Sequence, residues 1–277
     1  MGKVILITGV SSGIGAETAK RLALQGNIVY GAARRVELIP DGVIPVRMDI
    51  TDRSSVEDCV QRIIKEQGRI DVLVNNAGYG YFGAIENVSM DEARRQLDVN
   101  LFGLAELTRM VLPHMRLQHS GRIINVASVA GRAVIYLGGW YNISKYAVEA
   151  FSDALRMEIA RFGIKVSIIE PGSIQTNWGV IAASHLAESS AGTPYQEEGM
   201  ILASNLENFF KKKGLFSHPS VVSRTIIRAV NSRRPRTRYR TGMMSRSIVF
   251  FHSILPDRWW DSIARLSARR VYMINSE

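Results

Sequence analysis

The feature that most constrains the fold of this 277-residue chain is the alternation of short apolar runs with longer helical patterns. The apolar runs are rich in Val and Ile and lack polar alternation, which is typical of strands that are covered on both faces. This order predicts an α/β, doubly wound fold: a mostly parallel seven-stranded sheet with helices on both faces. The predicted strands are Val4–Thr8, Ile28–Ala32, Val43–Met48, Val72–Asn75, Arg122–Val126 and Lys165–Glu170, with a weaker seventh near Thr237–Arg240. The predicted helices are Ala16–Gln25, Ser54–Glu66, Asp91–Arg116 and Tyr141–Phe162.

The chain shows no linker-like break and no internal repeat, so we expect one domain over residues 1–277. The segment 176–218 is rich in Ala, Ser and Gly and follows the sixth strand. It is therefore expected at the carboxyl edge of the sheet, where ligands bind in open α/β folds. We interpret this segment as a substrate lid, and residues 242–277 as a basic, aromatic C-terminal extension.

Positive charge is concentrated at the C-terminal end of the chain. Residues 211–277 contain 15 Lys and Arg against 3 Asp and Glu, whereas the rest of the chain carries 20 against 22. Such a basic end is compatible with a membrane surface, an anionic substrate, a nucleic acid or a plain solvated surface. The arginines alternate with Phe250, Phe251, Trp259 and Trp260, which can pack over the site, against a partner subunit or on a membrane. Because no known nucleic-acid module accompanies the charge, we expect no nucleic-acid partner.

Targeting and metal signals are lacking in the sequence. No apolar run approaches the roughly 20 residues that span a bilayer, and the N-terminus does not resemble a secretory signal. Cys59 is the single cysteine, and its position in an amphipathic pattern favours core packing. We therefore expect a cytoplasmic protein, with peripheral membrane contact left open. The five histidines lack metal-site spacing, so we predict no metal.

A glycine-rich turn joins the first predicted strand to the first helix. It reads Thr8-Gly9-Val10-Ser11-Ser12-Gly13-Ile14-Gly15. Glycines at such a turn allow a tight bend, close approach of the backbone to a pyrophosphate, and close helix–strand packing. The helix N-terminus then offers free N–H groups and a partial positive charge to the phosphates. The Gly-x3-Gly-x-Gly spacing differs from the standard dinucleotide fingerprint, and a turn without a ligand is the alternative.

The end of the second strand indicates which dinucleotide is bound. NAD sites usually place an acidic residue here, whereas NADP sites favour Arg. The sequence has Arg34 and Arg35, with no carboxylate before Glu37. Because guanidinium groups form charge-assisted hydrogen bonds with a 2′-phosphate, we predict NADP(H) rather than NAD(H). Two solvated arginines are the alternative.

Three residues near the fifth strand and the following helix suggest a proton-transfer site. Ser128 ends the strand, and Tyr141 and Lys145 follow on the helix. Residues four apart share one helix face, so both side chains can reach one site. A nearby ammonium is expected to lower the pKa of Tyr141 and make it a general acid or base. Ser128 is then placed to hydrogen-bond a substrate oxygen.

Taken together, these motifs resemble the short-chain dehydrogenase/reductase family, whose fold is Rossmann-like. The resemblance runs from the N-terminus to about Thr176. It includes Thr-Gly-x3-Gly-x-Gly, Asn75-Asn76-Ala77-Gly78, Asn100, Ser128, Tyr-x3-Lys and Pro171-Gly172. It implies that Tyr141 is the catalytic acid/base, that Lys145 also binds the nicotinamide ribose, that Ser128 orients substrate, and that Asn100 holds a water in a proton relay.

The resemblance also implies a cofactor groove. Its residues would be Gly9, Ser11, Ser12, Gly13, Ile14, Gly15, Arg34, Arg35, Asp49, Ile50, Asn76, Ala77, Gly78, Lys145, Pro171, Gly172, Ile174 and Thr176. Asp49 is expected near the adenine, and Arg34 at the 2′-phosphate. One departure from the family is Ser12, which stands where a second basic residue is often found, so Arg34 would carry most of the discrimination.

The predicted function is NADP(H)-dependent interconversion of a carbonyl and an alcohol. The run Tyr79-Gly80-Tyr81-Phe82 and the aromatic extension favour a bulky lipophilic substrate such as a steroid, retinoid, fatty or acylated carbonyl. The alternatives are a reductase of a phosphorylated or carrier-linked ketone and a non-catalytic NADP(H) sensor. A nucleotide-sugar epimerase ranks below these, because that branch usually has a different glycine spacing. The resemblance further implies a homodimer or homotetramer formed through the helices that hold Asn100 and Tyr141.

Overall fold

The computed structural model describes residues 2–176, 178–211 and 216–273. Its sheet has seven parallel strands in the order β3-β2-β1-β4-β5-β6-β7. The order reverses between β1 and β4, and the carboxyl ends of these strands flank the crevice where open α/β sheets bind ligands. The predicted doubly wound fold is therefore confirmed. The strands are β1 Val4–Thr8, β2 Ile28–Ala33, β3 Ile44–Arg47, β4 Val72–Asn75, β5 Gly121–Val126, β6 Ile164–Pro171 and β7 Arg238–Thr241.

The strand ends differ from the predicted ones by no more than one residue. Alternate residues of β1 enter two cores. Val4 and Leu6 pack with Cys59, Val111 and Leu155, whereas Ile5 and Ile7 pack with Leu22 and Ile226. Burial on both sides explains why the strands read as continuous apolar runs. Cys59 lies in the first of these cores, as its pattern predicted, and burial raises the pKa of its thiol to about 12.

Ten helices are present in the described part of the chain. They are α1 Gly13–Leu24, α2 Arg53–Gln67, α3 Met90–Leu97, α4 Gly103–Leu117, α5 Gly139–Ile159, α6 Trp178–Ser190, α7 Gln196–Lys211, α8 Pro219–Asn231, α9 Ser245–Ile254 and α10 Asp257–Met273. Helix α1 begins three residues before the predicted start, because glycines at its first turn hid the helical pattern. A short 3-10 turn, Ala160–Phe162, follows α5.

The helix predicted over Asp91–Arg116 is present, but it is not one uninterrupted α-helix. A π turn, Asp98–Phe102, separates α3 from α4, and the Gly103 N–H bonds the Asp98 carbonyl five residues earlier. One wide turn barely disturbs the apolar repeat, so the sequence pattern does not reveal it. Such turns occur frequently at functional sites, and this one contains Asn100.

The segment after β6 forms helices α6 and α7, which pack on each other, and α6 also packs against Phe82 and Tyr141. Further along the chain, α9 packs on β7 and α10 packs on α7. Over the described residues, no helix combines the length and apolar character needed to cross a bilayer. In the same residues, no group of His, Cys, Asp or Glu side chains is arranged to hold a metal ion.

Candidate active site

The glycine-rich turn between β1 and α1 is packed closely against the loop after β4. Gly9 and Gly13 have φ angles of 71° and 59°, in the region that favours glycine. A Cβ at Gly15 would lie 2.3 Å from the Gly9 carbonyl oxygen and 2.5 Å from Asn76 Nδ2. Backbone geometry therefore requires glycine at all three positions, and it brings the start of α1 to the end of β1.

Helix α1 begins without a side-chain cap. Ser12 occupies the N-cap position, but among the described residues its side chain makes no capping hydrogen bond. By contrast, Asp52 caps α2 and Ser89 caps α3. The first turn of α1 also contains no acidic residue. Its N–H groups and partial positive charge therefore fit a phosphate, as expected for the dinucleotide site predicted at Ser11–Gly15.

Two exposed arginines, Arg34 and Arg35, come directly after β2, which is the neighbour of β1 in the sheet. In the described part of the chain, the Arg34 and Arg35 side chains form no ion pair or hydrogen bond. Asp49, after β3, is engaged locally: its Oδ1 accepts hydrogen bonds from the Thr51 N–H at 3.0 Å and the Thr51 hydroxyl at 2.8 Å. The structure thus places unpaired positive charge, and no free carboxylate, directly after β2. Ile50 packs under the start of α4, where a Cβ at Gly103 would lie 2.4 Å from the Ile50 carbonyl oxygen.

Thr8 fixes the loop after β4, although the sequence did not identify it as a site residue. Its hydroxyl oxygen accepts hydrogen bonds from the backbone N–H groups of Asn76 at 3.0 Å and Ala77 at 2.9 Å. In return, Asn76 Nδ2 donates to the carbonyls of Thr8 at 3.0 Å and Gly9 at 3.2 Å. The predicted groove residues at the ends of β1 and β4 are therefore held as one unit.

Gly78 lies where this loop meets two of the predicted catalytic residues. A Cβ at Gly78 would lie 3.0 Å from Asn100 Oδ1 and 3.6 Å from Lys145 Nζ. The Asn100 side chain is buried and donates to the Tyr79 carbonyl and to Ser144 Oγ, each at 2.9 Å, while its Oδ1 accepts from the Tyr79 N–H at 3.0 Å. Asn100 therefore fastens the loop after β4 to α5, so its side chain is occupied in positioning.

Tyr141 and Lys145 lie one turn apart on the buried face of α5, as their spacing predicts. Lys145 Nζ donates to the Val126 carbonyl at 3.0 Å and lies 6.0 Å from the centroid of the Tyr141 ring. Val126 is the last residue of β5, so this hydrogen bond places the ammonium at the carboxyl end of the sheet. Both side chains are buried, and a phenol and an ammonium therefore share a region with little water.

Burial shifts the pKa of each group in the direction that favours its neutral form. It raises the pKa of Tyr141 to about 12, and a hydrogen bond with Ser128 acts in the opposite direction. It lowers the pKa of Lys145 to about 8, and the charge of Glu149 acts in the opposite direction. The sequence had led us to expect a lowered pKa for Tyr141, and in this structure burial has the larger effect. Tyr141 is neutral and carries the proton that a general acid donates, while burial makes it a weaker acid than a solvated tyrosine.

Ser128 stands at the start of a loop that is fastened to α5. Its Oγ accepts a hydrogen bond from the Ala130 N–H at 3.1 Å. Buried Asn142 donates to the carbonyls of Ala130 at 2.8 Å and Ala133 at 3.1 Å, and accepts from the Ile135 N–H at 3.2 Å. The loop that carries Ser128 is thereby held beside Tyr141. Asn142 is not among the predicted site residues, and its position directly after Tyr141 is the one sequence signal of its role.

An aromatic cluster encloses the Tyr141 ring. The centroids of Phe82 and Trp178 lie 5.6 Å and 5.0 Å from that of Tyr141, and 5.7 Å from each other. Leu137 and Leu186 belong to the same buried cluster. The sequence pointed to Phe82 through its aromatic run, whereas Trp178 was not identified, because only the folded chain brings α6 over this site.

The chain after β6 returns to the glycine-rich turn. Thr176 Cγ2 would lie 3.4 Å from a Cβ at Gly13, so the last predicted groove residue meets the glycine-rich turn. Pro171 ends β6, and Gly172 is packed so closely that a Cβ there would lie 2.1 Å from the Met243 carbonyl oxygen. The side chain of Ile174 packs in the core, so only its backbone is available to a ligand.

A charge network that the sequence pattern does not predict lies behind Lys145. Arg238 Nε lies 3.0 Å from a carboxylate oxygen of Glu149 and 3.2 Å from one of Glu170, and its guanidinium also pairs with Asp153. Arg240 pairs with Glu170 at 2.9 Å. Burial and the nearby Glu170 raise the pKa of Glu149 to about 7, and Arg238 opposes that shift. Glu149 follows Lys145 by one turn of α5, which explains how its charge reaches the ammonium.

The fold and this site define a nucleotide-binding oxidoreductase, and comparison with known proteins gives the family. Residues 3–184 match the sequence profile of the short chain dehydrogenases, and the chain belongs to this family. It is 37% identical to a 3-ketodihydrosphingosine reductase of Bacteroides thetaiotaomicron over 87% of this chain and 88% of that one. It is 32% identical to the probable short-chain type dehydrogenase/reductase VdlC of Helicobacter pylori, over 94% and 96% of the two chains.

Solved structures agree with the family and show two cofactors among its members. A short-chain dehydrogenase from Streptomyces avermitilis superposes with a TM-score of 0.78 at 30% identity, covering 100% of this chain and 98% of that one. A metagenomic short-chain oxidoreductase in complex with NADP has a TM-score of 0.60 at 31% identity, covering 62% and 83%. A Burkholderia phymatum enzyme in complex with NAD has a TM-score of 0.73 at 26% identity, covering 86% and 88%.

Proposed function

We propose that this chain is an NADP(H)-dependent reductase that interconverts a carbonyl and an alcohol on a bulky lipophilic substrate. The observation that carries the proposal is the convergence of Ser128, Tyr141 and Lys145 at the carboxyl end of the sheet, beside an uncapped α1 N-terminus. Phosphate-binding geometry and a proton donor thus meet in one crevice. This combination serves hydride transfer coupled to proton transfer.

Tyr141, Ser128 and Lys145 have separate roles in the proposed reduction of the carbonyl. The hydride that reduces the carbonyl carbon would come from the nicotinamide cofactor when it is bound. Tyr141 donates its phenolic proton to the carbonyl oxygen as negative charge develops there. Ser128 hydrogen-bonds the same oxygen and orients it. Lys145, anchored on the Val126 carbonyl, stabilises the phenolate that remains, and the reverse sequence oxidises the alcohol.

NADP(H) is the cofactor that the residues after β2 favour. Arg34 and Arg35 are exposed and, within the described residues, unpaired, so their guanidinium groups are free to bind a 2′-phosphate. The nearest acidic position, Glu37, lies on the following 3-10 turn. A carboxylate directly after β2 would repel that phosphate, and none is present there.

A lipophilic substrate is supported by the surroundings of Tyr141. Phe82, Trp178 and Leu186 form an apolar wall beside the phenol. The Bacteroides relative is a reductase of 3-ketodihydrosphingosine, a keto compound of the class that we propose. An anionic or carrier-linked ketone is the second candidate, favoured by the basic C-terminal quarter. Turnover of an anionic ketone should fall steeply as salt is raised, whereas turnover of an apolar one should not.

Residues 176–218 are proposed to act as the substrate lid. Helix α6 lies on Tyr141 through Trp178, so access to the phenol requires α6 to move. We also propose a homodimer or homotetramer assembled through α4 and α5. These helices carry exposed apolar side chains, namely Leu117, Ile143, Tyr146 and Met157.

The first test compares Tyr141→Phe with Tyr146→Phe. Both variants lose one hydroxyl from the same helix, but Tyr146 is partly exposed. We expect Tyr141→Phe to lose at least about 100-fold of NADPH-dependent turnover across a panel of apolar ketones and aldehydes, since general acid catalysis contributes that much or more. NADPH binding, measured by fluorescence titration, should stay within a few-fold, and Tyr146→Phe should behave as wild type.

The same experiment separates the enzyme from a sensor. Wild-type turnover that is retained in Tyr141→Phe would overturn the assigned role of Tyr141. Tight NADPH binding by the wild type without turnover of any apolar or anionic carbonyl would leave the non-catalytic sensor as the better reading of the site.

A further inference from the structure

The last two helices carry six large apolar side chains that face solvent. Each is between 46% and 66% exposed. On α10, Trp259, Ile263 and Leu266 follow the i, i+4, i+7 spacing that forms one stripe of a helix. This stripe points away from the protein, opposite to the usual arrangement of a surface helix. We call the six residues the aromatic face: Phe250, Phe251, Ile254, Trp259, Ile263 and Leu266.

A polar cavity of about 460 Å³ opens beside the start of α9. Three arginines line it, and we call it the arginine cavity. Arg240 is paired with Glu170, whereas Arg228 and Arg246 have no ion-pair or hydrogen-bond partner among the described residues. Thr225, Thr241, Ser245 and Ser247 also line it, but their hydroxyls are engaged in local hydrogen bonds to backbone carbonyls and, for the two threonines, to each other. The two unpaired guanidinium groups are therefore the donors that suit an anionic oxygen cluster such as a phosphate.

The arginine cavity and the aromatic face are adjacent on α9. Arg246 and Phe250 are four residues apart on this helix, as are Ser247 and Phe251, so each pair shares a side of it. Met244, which also lines the cavity, is itself 54% exposed. Helix α9 therefore carries anion-binding side chains in its first turn and exposed aromatic side chains in the next turn.

We propose that this surface docks on an anionic lipid bilayer, with lipid phosphates at the arginine cavity and the aromatic face in the interfacial region. Aromatic and aliphatic side chains flanked by arginines are the features of helices that lie in the membrane interface. A second copy of the chain is a poorer occupant, because a two-fold contact would place each basic cavity against the other. An isolated phosphate would use the cavity but leave the aromatic face unexplained.

Docking in this way would place the bilayer next to the proposed active site. Trp260 Nε1 donates to the Val134 carbonyl at 3.4 Å, in the loop that begins with Ser128. Val134 and Ile135 are themselves exposed and apolar. The supply of a lipophilic substrate from the membrane rests on the proposed function, whereas the docking itself does not.

The test is co-sedimentation of the full chain with vesicles of phosphatidylcholine alone or with about one third phosphatidylserine. The wild type should sediment with the anionic vesicles and remain in solution with the neutral ones. The double variant Phe250→Ser with Phe251→Ser should reduce the bound fraction roughly tenfold or more, because two exposed aromatic rings are lost from the interface. Arg228→Gln with Arg246→Gln should weaken binding and reduce its salt dependence.

Two matched controls keep the result specific. Leu24→Ser with Met90→Ser removes two exposed apolar side chains from α1 and α3, and Lys20→Gln with Lys65→Gln removes the same charge from α1 and α2. Both should sediment like the wild type. NADPH-dependent turnover of a water-soluble carbonyl is measured on every variant, so that loss of docking is distinguished from failure of the proposed function.

Four results would overturn the proposal. The wild type could fail to bind anionic vesicles, or both docking variants could bind as well as the controls. A fall in oligomeric mass caused by the Phe250 and Phe251 changes, without a change in vesicle binding, would assign the aromatic face to a subunit contact. Calorimetric binding of inorganic phosphate that requires Arg228 and Arg246, without vesicle binding, would assign the cavity to a soluble anion.

Discussion

Replacing Arg238 by Gln should destabilise the protein by about 3 kcal/mol at pH 8, because buried carboxylates then lose their shared cation. Arg238 pairs with Glu149 at 3.0 Å, with Glu170 at 3.2 Å and with Asp153. Removing one partner of a buried ion pair typically costs about 3–5 kcal/mol. The lower end applies here, since Glu170 keeps Arg240 at 2.9 Å and Glu149 can take up a proton.

The loss should depend on pH, and its sign follows from Glu149. The pKa of this carboxyl is raised from 4.5 to about 7, so its protonated form favours folding, and that contribution is lost as pH rises through 7. Without Arg238 the carboxylate is even less favourable. The destabilisation by Arg238→Gln should therefore be larger at pH 8 than at pH 5.5, where Glu149 is largely protonated in the folded state.

Urea unfolding of both proteins at the two pH values measures this difference directly. The double variant Glu149→Gln with Arg238→Gln serves as the matched control, because it removes one of the carboxylates that would be left unpaired. It should recover a substantial part of the lost stability at pH 8. A loss below about 1 kcal/mol at pH 8, an equal loss at both pH values, or no recovery in the double variant would refute this account of the network.

Two further predictions concern the cofactor and the proton-transfer site. Arg34→Asp should weaken NADPH binding by roughly tenfold or more and shift the preference towards NADH, because a carboxylate repels the 2′-phosphate; kcat/KM for the two cofactors measures it, and an unchanged ratio would contradict the assignment of Arg34. Lys145→Ala should reduce both NADPH affinity and kcat, the latter by about 100-fold, since one ammonium serves ribose binding and proton transfer; an effect on neither quantity would show that the site had been misread.

Much of the candidate site could be recognised from the sequence because its parts are local. Gly9, Gly13 and Gly15 indicate a tight turn. Tyr141 and Lys145 share a helix face because they are four residues apart, whatever surrounds them. Those features depend on backbone conformation within a few residues. By contrast, the roles of Thr8 and Asn142 depend on hydrogen bonds to loops that lie elsewhere in the fold, so their positions beside recognised motifs do not reveal what they bind.

The apolar runs alone predicted the strands to within one residue, and with them the doubly wound sheet. They could do so because a strand buried on both faces needs apolar residues at nearly every position. Tertiary structure alone decided the electrostatics of the site. Sequence spacing predicted an ammonium beside Tyr141 and hence a lowered pKa, but the burial supplied by Phe82 and Trp178 raises it. The pKa of a group depends on how much water every neighbouring element excludes, and that quantity exists only once the chain has folded.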